Sequence, residues 1–138
     1  MAPKPLLLDT SVAVALVLQA HEAHDQAVAA VRGSSLGLSG HALFETMSVL
    51  TRLPGEERRP PSVVHLALEK SFPETRFLSG EGCIALAAEL AELEIAGGAV
   101  FDALVAATAR EHQLTLVTRD VRALPVYRAL GVELRQLE

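Results

Sequence analysis

Cysteine is nearly absent: Cys83 is the only one in 138 residues. That excludes an internal disulfide and a multi-cysteine zinc site, and it suits a reducing cytoplasm. No apolar run reaches membrane-spanning length, so no membrane association is expected. Basic charge is also scarce. The formal net charge is −5, the pI is about 5.5, and the lysines are Lys4 and Lys70. A nucleic-acid partner usually needs a basic face, so this balance argues against one. There is no Walker loop, no G-x-G-x-x-G fingerprint, no internal repeat and no linker. What is present is a chain that is half hydrophobic and of a length suited to one domain over 1–138.

The stretch "LLLDTS" at 6–11 puts a carboxylate and two hydroxyls where a buried strand should end. Asp9 has an ordinary reading as the cap of the helix that "VAVALVLQ" announces. A secretory leader with Lys4 at its charged end is not expected. Asp9 breaks the apolar run, and no small-x-small cleavage pattern follows it.

Further along, helices are predicted over 12–18, 21–32, 41–53, 62–71, 81–94 and 99–112, with a short one over 121–130 interrupted by Pro125. Strands are predicted at 36–40, 75–80, 114–118 and 132–137 in addition to the first. The alternation predicts an α/β domain with a mostly parallel central sheet of about five strands flanked by helices. In such sheets function gathers at the carboxyl edge. Asp9 follows the first strand and Asp120 follows "LTLVTR", so two acids distant in sequence are expected at one edge. Glu45 lies within "HALFETMSVLTRL", and Asp102 lies in the first turn of "GGAVFDALVAATA", with Ala106 and Ala109 on its side. Each acid alone has a plain explanation, as cap, helix-dipole partner or solvated face. The joint pattern does not.

"LLLDTSVAVAL", "HALFETMSVLTRL", "FDALVAATAREHQLTLVTRD" and "YRALGVEL" resemble the PIN-domain nucleases, and more narrowly the VapC-type ribonuclease toxins of bacterial toxin–antitoxin pairs. The likeness runs over nearly the whole chain in the family's order. It implies a PIN-like fold and an acidic site on Asp9, Glu45, Asp102 and Asp120, with Thr10 and Thr118 at its hydroxyl positions. It also implies endoribonuclease activity leaving 5′-phosphate and 3′-hydroxyl ends, and a homodimer neutralised by a small antitoxin protein. A basic antitoxin side chain is expected to reach Asp9, Glu45, Asp102 or Asp120.

The chemistry of four acids supports a metal. Two unit charges about 4 Å apart cost roughly 4 kcal/mol at an effective dielectric of 20, so such a cluster needs cations or protons. Hard oxygen donors without cysteine select Mg²⁺ or Mn²⁺. Asp9 and Asp102 are expected as direct ligands, and Glu45 and Asp120 as ligands of a second metal or of its water. Setting these four of 17 acids aside leaves 13 against 12 bases, a nearly neutral remainder. Arg119 and Arg122 are then candidate RNA-phosphate contacts.

Other signals fall away. Gly33-Ser34-Ser35-Leu36-Gly37 has the nucleophile-elbow letters but follows a helix and opens a strand, the reverse of an elbow. "HEAHD" is not the HExxH zinc pattern. His41, His65 and His112 show no partner spacing, and Cys83 reads as a core residue. Two alternatives remain: an RNA-binding scaffold of the same fold without catalysis, and a phospho-receiver signalling module. The latter should carry an acid pair after its first strand and a late lysine, and this chain has neither.

Overall fold

The computed structural model describes residues 3–137. The three leucines form β1 (Leu6–Leu8), and α1 (Thr10–Val17) begins immediately after Asp9. Then come α2 (His24–Val31), β2 (Leu36–Leu38), α3 (Ala42–Thr51), α4 (Pro61–Ser71), α5 (Gly80–Glu92) and α6 (Ala99–Glu111). The chain ends with β3 (Leu116–Thr118), α7 (Leu124–Ala129) and β4 (Leu134–Gln136).

Among the described residues the sheet has four strands, all parallel, in the order β2-β1-β3-β4. The register pairs Leu7 with Leu116 and Leu8 with Val117. Because side chains alternate across a strand, consecutive leucines face opposite layers. Leu6 and Leu8 pack with α1, α2 and the buried sides of α3 and α4, while Leu7 packs with α6 and α7. The result is a sheet covered on both faces, which is why its strands read as continuous apolar runs.

Three expectations are corrected. The predicted strand at 75–80 is reduced to one parallel bridge, Ser39 to Arg76, so the sheet has four strands rather than about five. The Arg76 N–H donates to Leu38 O at 3.2 Å and Gly40 N–H donates to Arg76 O at 2.8 Å. Beyond Arg76 the chain turns into the helix cap at Ser79, which accepts from the Gly82 N–H and ends any extended run. Pro125 does not interrupt the last helix. It sits in the first turn of α7, where its missing N–H costs nothing, after a separate 3₁₀ turn at Val121–Ala123. Cys83 is exposed rather than in the core. Among the described residues of α5 only Leu86 is buried, because α5 lies outside α6, tied to it by the two-pronged Arg110–Glu89 pair at 2.8 and 2.9 Å.

Gly37 has a clear steric reason. A Cβ there would collide with the backbone carbonyl of Glu74, which passes directly over β2. That close passage lets the Glu74 N–H donate to Leu36 O at 3.0 Å.

Candidate acidic active site

The strand order reverses between β1 and β3: the chain leaves β1 for β2 on one side and later adds β3 and β4 on the other. The crevice at the carboxyl ends of those two strands is where an open parallel sheet offers a binding site. Asp9 stands at the end of β1, and Thr118 closes β3 with Asp120 two residues on.

Asp9 is buried, at 4% exposure. Its Oδ1 accepts from Ser11 Oγ at 2.5 Å and from the Val12 N–H at 3.3 Å. Its Oδ2 accepts from the Thr118 hydroxyl and from Tyr127 Oη at 2.9 Å. The cap reading and the site reading therefore both hold for this one carboxylate. Burial pushes its pKa up, and the donors from Ser11, Thr118, Tyr127 and Val12 pull it partly back. Ser11 Oγ also accepts from the Arg119 N–H at 3.0 Å, and Thr118 Oγ1 from the Asp120 N–H at 3.0 Å. These two hydroxyls stitch the loop after β1 to the loop after β3.

Glu45 projects from α3 toward the same crevice. His41 Nε2 lies 3.2 Å from its Oε1, and Thr10 Oγ1 lies 3.5 Å from its Oε2. Burial raises its pKa, His41 opposes the rise, and the negative charges of Asp102 and Asp9 add to it. The ring of His41 also stacks on Phe101, with centroids 4.8 Å apart.

Asp102, in the first turn of α6, is gripped by Arg122 through two bonds: Nη1 to Oδ2 at 3.0 Å and Nη2 to Oδ1 at 3.2 Å. The same Nη2 donates to Asp120 Oδ2 at 3.0 Å, and the Arg122 backbone N–H donates to Asp120 Oδ1 at 3.1 Å.

All four predicted acids thus line one small cleft of about 50 Å³, with Thr10, Ser11, Arg122 and Tyr127. Thr118 stands behind it on Asp9, and Arg119 contributes its backbone N–H to Ser11. Sequence reasoning missed three participants. His41 had a signal, since it lies four residues before Glu45 on one helix and such pairs meet. Ser11 had one too, as the second hydroxyl of "LLLDTS" two residues from Asp9, whereas Tyr127 had none, because it reaches Asp9 from 118 residues away. Arg122, expected as an RNA contact, is here bound to the site's own carboxylates.

The donor set suits a hard divalent cation in kind, being oxygen from carboxylates and hydroxyls. Among the described residues, however, no three His, Cys, Asp or Glu side chains meet in an arrangement that could hold a metal ion. The carboxylates are arranged around hydroxyls, backbone N–H groups, an imidazole and a guanidinium instead.

Comparison with known proteins shows the family. The PIN domain pattern matches residues 6–129. The chain is 46% identical over 128 residues to "Ribonuclease VapC27" of Mycobacterium tuberculosis, covering 93% of each. A crystal structure of VapBC2 from Rickettsia felis, bound to a DNA fragment from its promoter, superposes with a TM-score of 0.68 at 16% identity, covering 98% of this chain and 100% of that one. The structure of M. tuberculosis VapC20, a toxin that cleaves the sarcin–ricin loop, superposes with a TM-score of 0.65 at 17% identity, covering 87% and 93%. At those identities the structural likeness is one of fold; the sequence match carries the kinship. The chain belongs to the PIN-domain family, in its VapC-type ribonuclease branch.

Proposed function

We propose that this chain, as one nuclease domain over 1–138, is a Mg²⁺- or Mn²⁺-dependent endoribonuclease and the toxin of a toxin–antitoxin pair, acting in the cytoplasm. One observation carries the reading most: four carboxylates from four separate segments share one cleft at the carboxyl edge of a parallel sheet. Such a concentration of like charge is poor for stability and useful for binding cations.

Asp9 and Asp102 would hold the metal directly, with Glu45 and Asp120 holding a second ion or its water. When bound, Mg²⁺ or Mn²⁺ neutralises charge developing on the phosphate and makes water a better nucleophile. The protein's own part is positional. Ser11, Thr118 and Tyr127 fix the orientation of Asp9, and His41 and Thr10 fix that of Glu45. Glu45, with its raised pKa, is suited to accept the proton of the attacking water. Water displaces the 3′ oxygen of the scissile phosphodiester, leaving a 5′-phosphate and a 3′-hydroxyl. Arg119 stands at the same edge for RNA phosphates, and Arg122 would join it only when released from Asp102 and Asp120.

The partner is a small antitoxin, as in the Rickettsia felis complex. An apolar cleft of about 380 Å³ between α3 and α4, lined by Leu43, Phe44, Met47, Leu68, Phe72 and Phe77, suits an amphipathic segment of such a partner. The exposed Ile84 on α5, at 77%, suits a homodimer contact.

The test is cleavage of single-stranded and structured RNA with and without Mn²⁺. Asp102→Asn and Glu45→Gln should each abolish it while the circular dichroism spectrum stays native, and EDTA should abolish it reversibly. Full activity in Asp102→Asn overturns the assignment. RNA binding with no cleavage under any metal returns the chain to a scaffold role.

A further inference from the structure

Arg122 is the unusual group of the acidic cleft. One guanidinium contacts both oxygens of Asp102 and one of Asp120, and its backbone N–H takes the other Asp120 oxygen. The two-pronged fit to Asp102 is the geometry in which arginine binds a carboxylate best. Asp120 is clasped by its own turn, two residues away, so Arg122 reaches Asp102 from a fixed base. Yet the Arg122 side chain is 68% exposed, against 15% for Asp102 and 29% for Asp120. It covers the pair from the solvent side and is not packed into the protein.

We propose that Arg122 is a resident counter-cation of this site, competing with a divalent ion for Asp102 and Asp120. The inference rests on the metal-dependent reading above. Two features support it. The oxygens that Arg122 occupies belong to two of the four proposed ligands. Its side chain is exposed, so it can swing into solvent with little loss of packing. The device resolves a difficulty of the fold. A chain must reach this structure before a metal binds, and an internal cation lets two of the four carboxylates approach without one. The same cation then taxes metal affinity by reciprocal linkage: whatever Arg122 gains from the carboxylates, the metal must overcome.

The test measures Mn²⁺ affinity of the full chain without RNA, by counting free Mn²⁺ with electron paramagnetic resonance. Arg122→Gln should bind Mn²⁺ about fivefold more tightly than the unaltered protein, the order expected for removing one charge from a largely solvated position. Arg122→Lys keeps the charge but cannot bridge both carboxylates with a planar fork, so its affinity should fall between the two. Without metal, Arg122→Gln should melt at a lower temperature, and saturating Mn²⁺ should narrow that gap. Equal or weaker Mn²⁺ binding by a folded Arg122→Gln overturns the proposal and makes Arg122 a residue that merely holds the carboxylates in place. Asp102→Asn separates the two levels: it should lose affinity if the metal reading holds. An unaltered protein that binds no Mn²⁺ removes both.

Discussion

The Asp9 carboxylate is buried and accepts four hydrogen bonds, from Ser11, Val12, Thr118 and Tyr127. Removing one of those donors leaves the carboxylate partly unsatisfied in a dry place. Tyr127→Phe should therefore destabilise the protein by about 1.5–3 kcal/mol, the range for hydrogen bonds to charged groups. Urea unfolding of the metal-free protein measures it, and a change below about 0.5 kcal/mol, the level of a neutral surface substitution, would show that Tyr127 is dispensable there. Thr46 gives the opposite case. It is fully buried on α3, and its Oγ1 has no hydrogen-bond partner among the described residues. Thr46→Val keeps the shape and removes the unpaired hydroxyl, so it should be neutral or stabilising by about 1 kcal/mol. A loss of stability on the same unfolding curve would mean that the hydroxyl is satisfied in solution.

At the scale of elements, α3 is placed by the chain around it. The segment at 74–76 crosses β2 closely enough that Gly37 admits no side chain. A Cβ there meets backbone, which cannot rotate away. Gly37→Ala should cost about 3 kcal/mol, at the upper end for overpacking, and should shift the 74–76 segment. Amide exchange of Leu36 and Arg76 would report that shift, and native protection at both would contradict it. The passage also explains the missing fifth strand. An extended pattern at 75–80 was legible, but whether it pairs over six residues or one depends on where Ser79 starts α5. The cap of α1 was readable because Asp9 and Val12 are neighbours three residues apart, whereas that of α5 was hidden because Ser79 falls inside the extended pattern. The exposure of Cys83 was not readable, since an apolar stripe does not say which layer a helix joins.

For the whole molecule, charge and apolar surface decide behaviour. Burial raises the pKa of both Asp9 and Glu45, so the folded chain holds these protons longer than the unfolded one. Their contribution to stability is full below the unfolded carboxyl range, about pH 4, and is lost as pH rises through the raised folded values. Glu89, held below its ordinary value by the hydrogen bond from Arg110, acts in the opposite sense. The informative comparison is thus between variants. Glu45→Gln should gain melting temperature relative to the unaltered protein on going from pH 4 to pH 7, without metal. A gap that does not change with pH would show that Glu45 titrates normally. Mn²⁺ at a hundred times its dissociation constant should stabilise the unaltered protein by roughly 2.7 kcal/mol at pH 7. On the apolar side, Phe44 and Phe77 are exposed beside the α3–α4 cleft, with rings 6.5 Å apart. Phe44→Asp should leave RNA cleavage intact and release it from inhibition by the co-expressed antitoxin. Retained inhibition in a growth assay would place the partner on another face.

The sequence by itself determined the alternating elements, the parallel sheet with two buried faces, the four acids and their edge. Those follow from periodicity, strand-end positions and a motif order, all of which are local or additive along the chain. Tertiary structure alone decided which groups surround each acid. Tyr127 finds Asp9, and Arg122 becomes the cation between Asp102 and Asp120, because β3 lies beside β1 and the first turn of α6 lines the same cleft. A contact between residues 118 apart depends on strand order and helix placement, and no spacing rule encodes it.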